Sequence, residues 1–168
     1  MSTDQKDKDR ITCHVLDTTT GQPARALRVK LELLPTPNPN TNSSSSASAS
    51  PTGGATTAAA ATILGGAGAK VFESQTDDDG RIKAWLPYSS ATSSGEVPVY
   101  TLEDVFGSLA DVPADSRWRL RFDTAGYFGG PDKTFYPEVD VTFTVRRGER
   151  YHVPLLLAPY GYSTYRGS

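Results

Sequence analysis

Two histidines, His14 and His152, are the side chains of this sequence best suited to proton transfer near neutral pH, and the chain has no others. Imidazole has an unperturbed pKa of about 6.5, so it can take a proton from water and return it to a leaving group. Each histidine lies inside a short apolar stretch, "ITCHVLD" or "YHVPLLL", and strand alternation places it on the face opposite its two immediate neighbours. Both are candidate general bases, although an isolated strand histidine is more often an ordinary surface or hydrogen-bonded residue.

A candidate cationic residue, Arg81, opens the stretch "RIKAWLP" directly after the turn sequence "DDDG". Its planar guanidinium could hold the oxygens of a polar substrate through parallel N–H donors. Alternation would place Arg81, Lys83 and Trp85 on one face, so an ordinary solvated basic face is the alternative interpretation. The sequence contains no G-x-S-x-G nucleophile motif and no histidine spacing typical of a metal site. The residue types therefore suggest two possible bases and one cation, without a metal or another cofactor.

Composition restricts the classes of partner and compartment. The 168 residues include 17 basic and 19 acidic ones, for a net charge of −2, which argues against a general nucleic-acid binder. Cys13 is the one cysteine, so no intrachain disulfide can form and a reducing, intracellular compartment is expected. The segment "MSTDQKDKDR" lacks the apolar core of a signal peptide, and no stretch is long enough to span a membrane. We expect a cytosolic or peroxisomal protein with no recognised targeting motif.

The domain organisation is predicted to be simple. Residues 1–10 should form a polar N-terminal tail, and residues 11–168 a single domain long enough to bury a sizeable core. Between about residues 35 and 69 the sequence is dominated by Ser, Ala, Gly, Thr and Pro and has no charged residue. Such a composition buries too little apolar surface to offset the conformational entropy lost on ordering. We therefore predict a disordered, low-complexity insertion between two strands of the domain.

Many short alternating stretches separated by turn residues predict an all-β sandwich. "ALRVKLELL", "RWRLRFDT" and "EVDVTFTVRR" alternate apolar and polar residues, as half-buried strands do. "KVFESQT" and "RIKAWLP", joined by "DDDG", are predicted to form a hairpin. "TLEDVFGSLADVP" predicts a short helix or turn capped by Thr101, whereas "AGYFGGPDKTFYP" is interpreted as a connection. "YHVPLLLAPY" and "GYSTYRGS" are predicted to be the last two strands.

Three of these stretches together resemble the 5-hydroxyisourate hydrolase branch of the transthyretin-like family: "CHVLDTTTGQPA", "TDDDGRIKAWLP" and "YHVPLLLAPYGYSTYRGS". The closing "YRGS" is the most specific signal, because it separates the hydrolases from the hormone-carrying transthyretins. The resemblance covers about residues 11–34, 70–87 and 118–168. It departs from the family at Ala158, where a serine is usual, and in the atypical stretches on either side of the central match.

The resemblance implies an eight-stranded sandwich of two four-stranded sheets, assembled as a homotetramer with active sites where dimers meet. It implies hydrolysis of a ring amide of 5-hydroxyisourate, giving 2-oxo-4-hydroxy-4-carboxy-5-ureidoimidazoline in urate degradation, without a cofactor or metal. The catalytic residues of the family correspond to His14, Arg81, His152 and Ser168. The substrate-binding residues correspond to His14, Arg81, Tyr165, Arg166 and Gly167. Which histidine activates the water stays open.

Two alternatives belong to other functional classes. One is a transthyretin-type binding protein that carries a small aromatic ligand in the same channel and needs neither a histidine base nor "YRGS". The other is an interaction sandwich in which His14, Arg81 and His152 are scattered surface residues. The presence of all three together with an intact "YRGS" disfavours both.

Overall fold

A computed structural model describes residues 8–35, 70–88, 100–110 and 115–168 of the chain. These residues form a sandwich of two five-stranded sheets, which confirms the predicted all-β class. The predicted insertion at about residues 35–69 lies outside the described residues except for its first position.

Ten strands and two short helices make up the described fold. The strands are β1 Ile11–Asp17, β2 Gln22–Pro23, β3 Arg28–Leu34, β4 Val71–Gln75, β5 Arg81–Ile82, β6 Leu86–Pro87, β7 Ser116–Phe122, β8 Val139–Val145, β9 Tyr151–Ala158 and β10 Gly161–Thr164. The helices are α1 Leu102–Ser108 and α2 Thr124–Phe128, with a 3-10 turn at Pro131–Lys133.

The first sheet contains the stretches that carry both histidines. Its order is β10-β9-β1-β2, and β5 also pairs with β1. β1 and β9 run parallel over seven residue pairs, from Ile11 opposite Tyr151 to Asp17 opposite Leu157. The second sheet has the order β6-β4-β3-β7-β8, with every neighbouring pair antiparallel. β1 is the first of the described strands and β9 is the last but one, so this parallel pair joins distant parts of the sequence.

The core lies between the sheets and follows the predicted alternation. Trp118, Leu120 and Phe122 on β7 are fully buried, as are Ile11 and Val15 on β1. Residues between them on the same strands point to the outer faces and are only half-buried. Burial of large apolar side chains contributes roughly 1.5–3 kcal/mol each, so the alternation fixes which face of each strand is inside.

Strand number and pairing differ in part from the expectation. The described residues form ten strands in two five-stranded sheets, whereas the resemblance implies eight strands in two four-stranded sheets; three of the ten, β2, β5 and β6, are only two residues long. The predicted hairpin forms only at its far end, where β6 pairs antiparallel with β4. β5, the segment next to the turn, pairs instead with β1 in the first sheet.

The turn at Gly80 explains why the chain changes sheets. The Val15 amide donates to the Gly80 carbonyl at 2.8 Å, so the chain is hydrogen-bonded to β1 as it leaves the turn. Gly80 has φ +71°, and a Cβ there would meet the Val15 carbonyl oxygen at 2.4 Å, so only glycine allows this approach. Strand alternation then stops at Ile82, and Trp85 is buried instead of sharing an exposed face with Arg81 and Lys83.

The helical predictions are partly confirmed. α1 begins after Thr101, whose hydroxyl accepts from the Asp104 amide while the Asp104 carboxylate accepts from the Thr101 amide, a complete capping box. The sequence interpretation of "AGYFGGPDKTFYP" as a connection is wrong at its start, where Ala125 to Phe128 belong to α2. Asp123 caps this helix by accepting from the Gly126 amide at 2.8 Å, and Gly129 ends it with φ +87°.

Candidate active site

Three predicted site residues lie together on the outer face of the first sheet. His14 on β1 is the register partner of Arg81 on β5. His152 on β9 is the register partner of Thr12, two residues before His14 on the same face of β1. The two imidazole centroids are 6.4 Å apart, with an angle of 35° between the ring planes. The fold thus brings together side chains separated by more than half of the chain.

The C-terminal segment runs beside His152. β10 pairs with β9 from Gly161 opposite Ala158 to Thr164 opposite Leu155. The chain then continues in the same register, and the Gly167 amide donates to the His152 carbonyl at 2.9 Å. A Cβ at position 167 would lie 2.7 Å from the His152 Cδ2 atom. Gly167 therefore packs against the edge of the imidazole ring.

The remaining predicted residues of this segment are exposed. The Arg166 guanidinium pairs with Glu149 at 3.2 Å and lies over the Tyr151 ring, 5.2 Å from its centroid. Tyr165 is 60% exposed, and Ser168 is also exposed. Within one chain the structure therefore brings Gly167 directly to His152, whereas Arg166 is directed towards Glu149 and Tyr151.

Thr12 also contacts this cluster, and the sequence interpretation does not include it among the candidate site residues. Its Oγ1 atom lies 2.9 Å from Nδ1 of His152 and 3.4 Å from the Tyr151 carbonyl oxygen, to which it donates. The available signal was its position two residues before His14, which places both side chains on one face. Its partner could be identified only once the parallel pairing of β1 with β9 was known.

The electrostatic surroundings of both imidazoles favour the neutral form. Partial burial lowers the pKa of His14 and the positive charge of Arg81 lowers it further, whereas a hydrogen bond to the Asp79 backbone and the carboxylates of Asp77 and Asp79 oppose this shift. Burial also lowers the pKa of His152, followed by the charge of Arg81 and smaller effects of His14 and Lys8. Neutral imidazoles can accept a proton, so this face combines two bases with a cation able to hold a developing oxyanion.

The other sheet carries a second concave surface. It is lined by charged residues of β3, β4 and β7, including Arg28, Lys30 and Arg121. Arg28 pairs with Asp123 at 3.1 Å, and Arg121 pairs with Asp140 at 3.0 Å. None of the predicted site residues lies there, and the paired charges indicate a solvated outer face.

No described helix is long and apolar enough to cross a membrane.

Comparison with known proteins agrees with the sequence resemblance. The model of the HIUase/Transthyretin family matches residues 11–167. A probable 5-hydroxyisourate hydrolase of Schizosaccharomyces pombe is 32% identical over 162 residues, which cover 94% of this chain and 90% of the relative. The 5-hydroxyisourate hydrolase of Salmonella typhimurium is 32% identical over 160 residues, covering 94% of this chain and 80% of the relative.

A solved structure supports the fold independently. Sea bream transthyretin in complex with thyroxine has a TM-score of 0.53 at 19% identity, with 95% of each chain covered. At that identity the likeness concerns the fold alone. The family match, by contrast, spans nearly all of the domain. The chain belongs to the HIUase/Transthyretin family.

Proposed function

We propose that this protein is a hydrolase that opens a ring amide of 5-hydroxyisourate to give 2-oxo-4-hydroxy-4-carboxy-5-ureidoimidazoline. The observation that carries the proposal is the cluster of His14, Arg81 and His152 on one sheet face, with Gly167 packed against the His152 ring. The relatives from Schizosaccharomyces pombe and Salmonella typhimurium are named for the same activity. A flat, polar, oxygen-rich heterocycle suits a face with two imidazoles and a guanidinium.

The reaction needs a base, a stabiliser of negative charge and a proton donor. One neutral imidazole takes a proton from water as the water oxygen attacks the amide carbon, and negative charge develops on the carbonyl oxygen. Arg81 stabilises that oxyanion through its N–H donors. The carbon–nitrogen bond then breaks, and the imidazolium returns the proton to the leaving nitrogen. In this proposal the second imidazole, whose centroid is 6.4 Å from the first, relays protons through an intervening water.

The C-terminal segment provides the other proposed substrate contacts. In this proposal Ser168 and Tyr165 position the substrate or the water, and Arg166 and Gly167 complete the binding surface. Tyr165, Arg166 and Ser168 are exposed in the single chain, and His14 and His152 are only half-buried. A second subunit placed over this face would enclose the site. We therefore propose a homotetramer with sites between dimers. Sedimentation velocity would measure the number of subunits in the assembly.

Domain limits and compartment are also part of the proposal. The hydrolase domain is placed at residues 11–168, with residues 1–10 as a tail. Asp9 accepts from the Trp85 amide at 2.7 Å, and Arg10 pairs with Glu103 at 2.6 Å, so the end of this tail is attached to the domain. The fully buried Cys13 thiol suits a cytosolic or peroxisomal location, where thiols stay reduced.

The decay of freshly generated 5-hydroxyisourate, followed by ultraviolet absorbance, tests the proposal. The wild-type protein should accelerate the decay, and His152→Asn should lower kcat/KM by roughly 10²–10⁴-fold, as expected for loss of a general base. His14→Asn should also lower it. Gln75→Ala is the matched control, because Gln75 is exposed on the other sheet.

Circular dichroism and sedimentation distinguish a catalytic effect from a folding defect. All variants should keep the wild-type spectrum and assembly. A folded wild-type protein that leaves the decay at background would refute the hydrolase proposal. Saturable binding of an aromatic ligand such as thyroxine by that inactive protein would instead support the carrier alternative.

A further inference from the structure

We propose that Thr12 is a positioning residue that selects the tautomer of His152, accepting a hydrogen bond from Nδ1–H so that Nε2 is the nitrogen that takes a proton. This inference rests on the proposed function, because it assigns the reacting atom of one of the two candidate bases. It concerns a residue that neither the family resemblance nor the residue types indicated.

The hydrogen-bond geometry favours one direction of the contact. A threonine hydroxyl has one proton and two acceptor lone pairs. The Tyr151 carbonyl can only accept, so its 3.4 Å contact with Thr12 Oγ1 uses the hydroxyl proton. The Thr12 Oγ1 atom also lies 2.9 Å from His152 Nδ1. With its proton directed to the carbonyl, the hydroxyl offers a lone pair to Nδ1, and in this arrangement Nδ1 carries the hydrogen.

The backbone holds both partners in place. Thr12 and His152 are register partners in the parallel ladder of β1 and β9, so their Cα atoms are fixed opposite each other. Threonine is branched at Cβ, and its χ1 angle is restricted in a strand. The hydroxyl is thus presented to the ring at little additional entropic cost.

The opposite edge of the ring is held by the C-terminal segment. Gly167 approaches so closely that a Cβ would lie 2.7 Å from Cδ2, the carbon bonded to Nε2. Thr12 fixes the Nδ1 edge and Gly167 the Cδ2 edge, so the ring has little freedom to flip. The lone pair on Nε2 then has a defined direction.

Tautomer choice matters because the ring must be neutral to accept a proton. Burial and the charge of Arg81, with smaller effects of His14 and Lys8, lower the pKa of His152. A neutral imidazole has one N–H and one lone pair. A ring with its hydrogen on Nε2 could not accept a proton from a water placed there. Thr12 therefore raises the fraction of His152 that is ready to react.

Nitrogen-15 NMR of the histidine rings tests the tautomer without substrate. Thr12→Val removes the hydroxyl at nearly constant volume, and Thr12→Ser keeps it. The His14→Asn background leaves His152 as the only histidine, so the ring signals are assigned. We expect Nδ1–H in the Thr12 protein and in Thr12→Ser, and a mixture of tautomers in Thr12→Val. Nε2–H in the Thr12 protein, or a pattern unchanged by Thr12→Val, would overturn the proposal.

The pH titration of the same signals gives the direction of the bond. An Nδ1–H donor binds the hydroxyl more strongly when the ring is charged, so Thr12→Val should lower the pKa of His152. If the hydroxyl instead donated to Nδ1, protonation would break the bond and Thr12→Val would raise the pKa. A rise would therefore refute the proposed direction.

Steady-state kinetics test whether Thr12 affects catalysis through His152. Thr12→Val should lower kcat by about 2- to 10-fold, the value of one neutral hydrogen bond, with KM changed less than about twofold, and Thr12→Ser should restore kcat. Unchanged kcat in Thr12→Val would overturn the positioning role even if the tautomer shifted. Absence of hydrolysis by the wild type would refute the proposed function, and the NMR result would still decide the tautomer.

Discussion

The Gly167 amide donates to the His152 carbonyl, and the glycine backbone lies against the imidazole of the same residue. The hydrogen bond measures 2.9 Å. A Cβ at position 167 would lie 2.7 Å from Cδ2 of the ring, 3.0 Å from the His152 carbonyl oxygen and 3.2 Å from a ring carbon of Pro154. Such distances leave no room for a methyl group, so the position of the C-terminal segment and the orientation of His152 depend on each other.

Gly167→Ala should therefore displace the His152 ring and lower kcat/KM by about 10²-fold, since a misplacement of 1 Å near the reacting atoms can cost that much. The thermal midpoint should change little, because the segment is largely exposed. Gly161→Ala is the control, since a Cβ there meets no atom within 4 Å. Hydrolysis of 5-hydroxyisourate measures both variants. Full activity in Gly167→Ala would contradict the proposed importance of ring orientation.

The pH dependence of kcat/KM should depend on Arg81. The base must be neutral, so the rate should rise with pH through an inflection below the ordinary histidine value of about 6.5. Burial is the largest cause of the lowered pKa in both histidines, and the Arg81 charge comes next. Arg81→Gln removes a positive charge that disfavours the imidazolium, so it should move the inflection upward, while burial persists.

Arg28→Gln is the matched control for this profile. Arg28 lies on the second sheet and pairs with Asp123, so the inflection should stay at the wild-type position. Arg81→Gln should also lower the plateau rate, because the oxyanion loses its cation. An inflection that stays in place or moves to lower pH in Arg81→Gln would show that Arg81 does not act on the histidines as described.

Stability should depend on a buried hydroxyl, Thr76, which lies just before the turn that sends the chain to the first sheet. Its Oγ1 donates to the Ala24 carbonyl at 2.6 Å and accepts from the Leu27 amide at 2.9 Å. Thr76→Val leaves both backbone groups unsatisfied, which should lower the free energy of unfolding by about 2–4 kcal/mol. Thr76→Ser retains the hydroxyl and should lose less than half of that. Urea denaturation at fixed protein concentration measures both, and equal midpoints for Thr76→Val and wild type would contradict the prediction.

Much of the fold follows from local alternation. The β7 residues Trp118, Leu120 and Phe122 alternate with arginines, and all three are buried as expected. The predicted hairpin, in which β6 pairs with β4 but β5 does not, shows the limit of this signal, because alternation indicates a strand but not its partner. The partner of β5 was decided by the close approach of Gly80 to Val15, a contact between distant parts of the chain. Similarly, α2 depends on the Asp123 cap in a stretch dominated by Gly and Pro.

The candidate site was predictable to a similar degree. Residue type and the family resemblance pointed to His14, Arg81 and His152, and strand alternation placed the two histidines away from the core. Thr12 gave no comparable signal, since threonine is common in strands and its role depends on a partner 140 positions away. Only the parallel pairing of β1 with β9 shows which hydroxyl meets which ring.

The parallel pairing of β1 with β9 also has a consequence for biosynthesis. Every strand of the second sheet lies between residues 28 and 145, whereas β9 and β10 of the first sheet begin only at Tyr151. A ribosome makes the chain from its N-terminus, so the second sheet can assemble while β1 still lacks its longest neighbour. Since β1 and β9 share seven residue pairs, this edge of β1 stays without β9 until Tyr151 and the residues after it have been made. The contact between Thr12 and His152 therefore forms only after every strand of the second sheet has been synthesised.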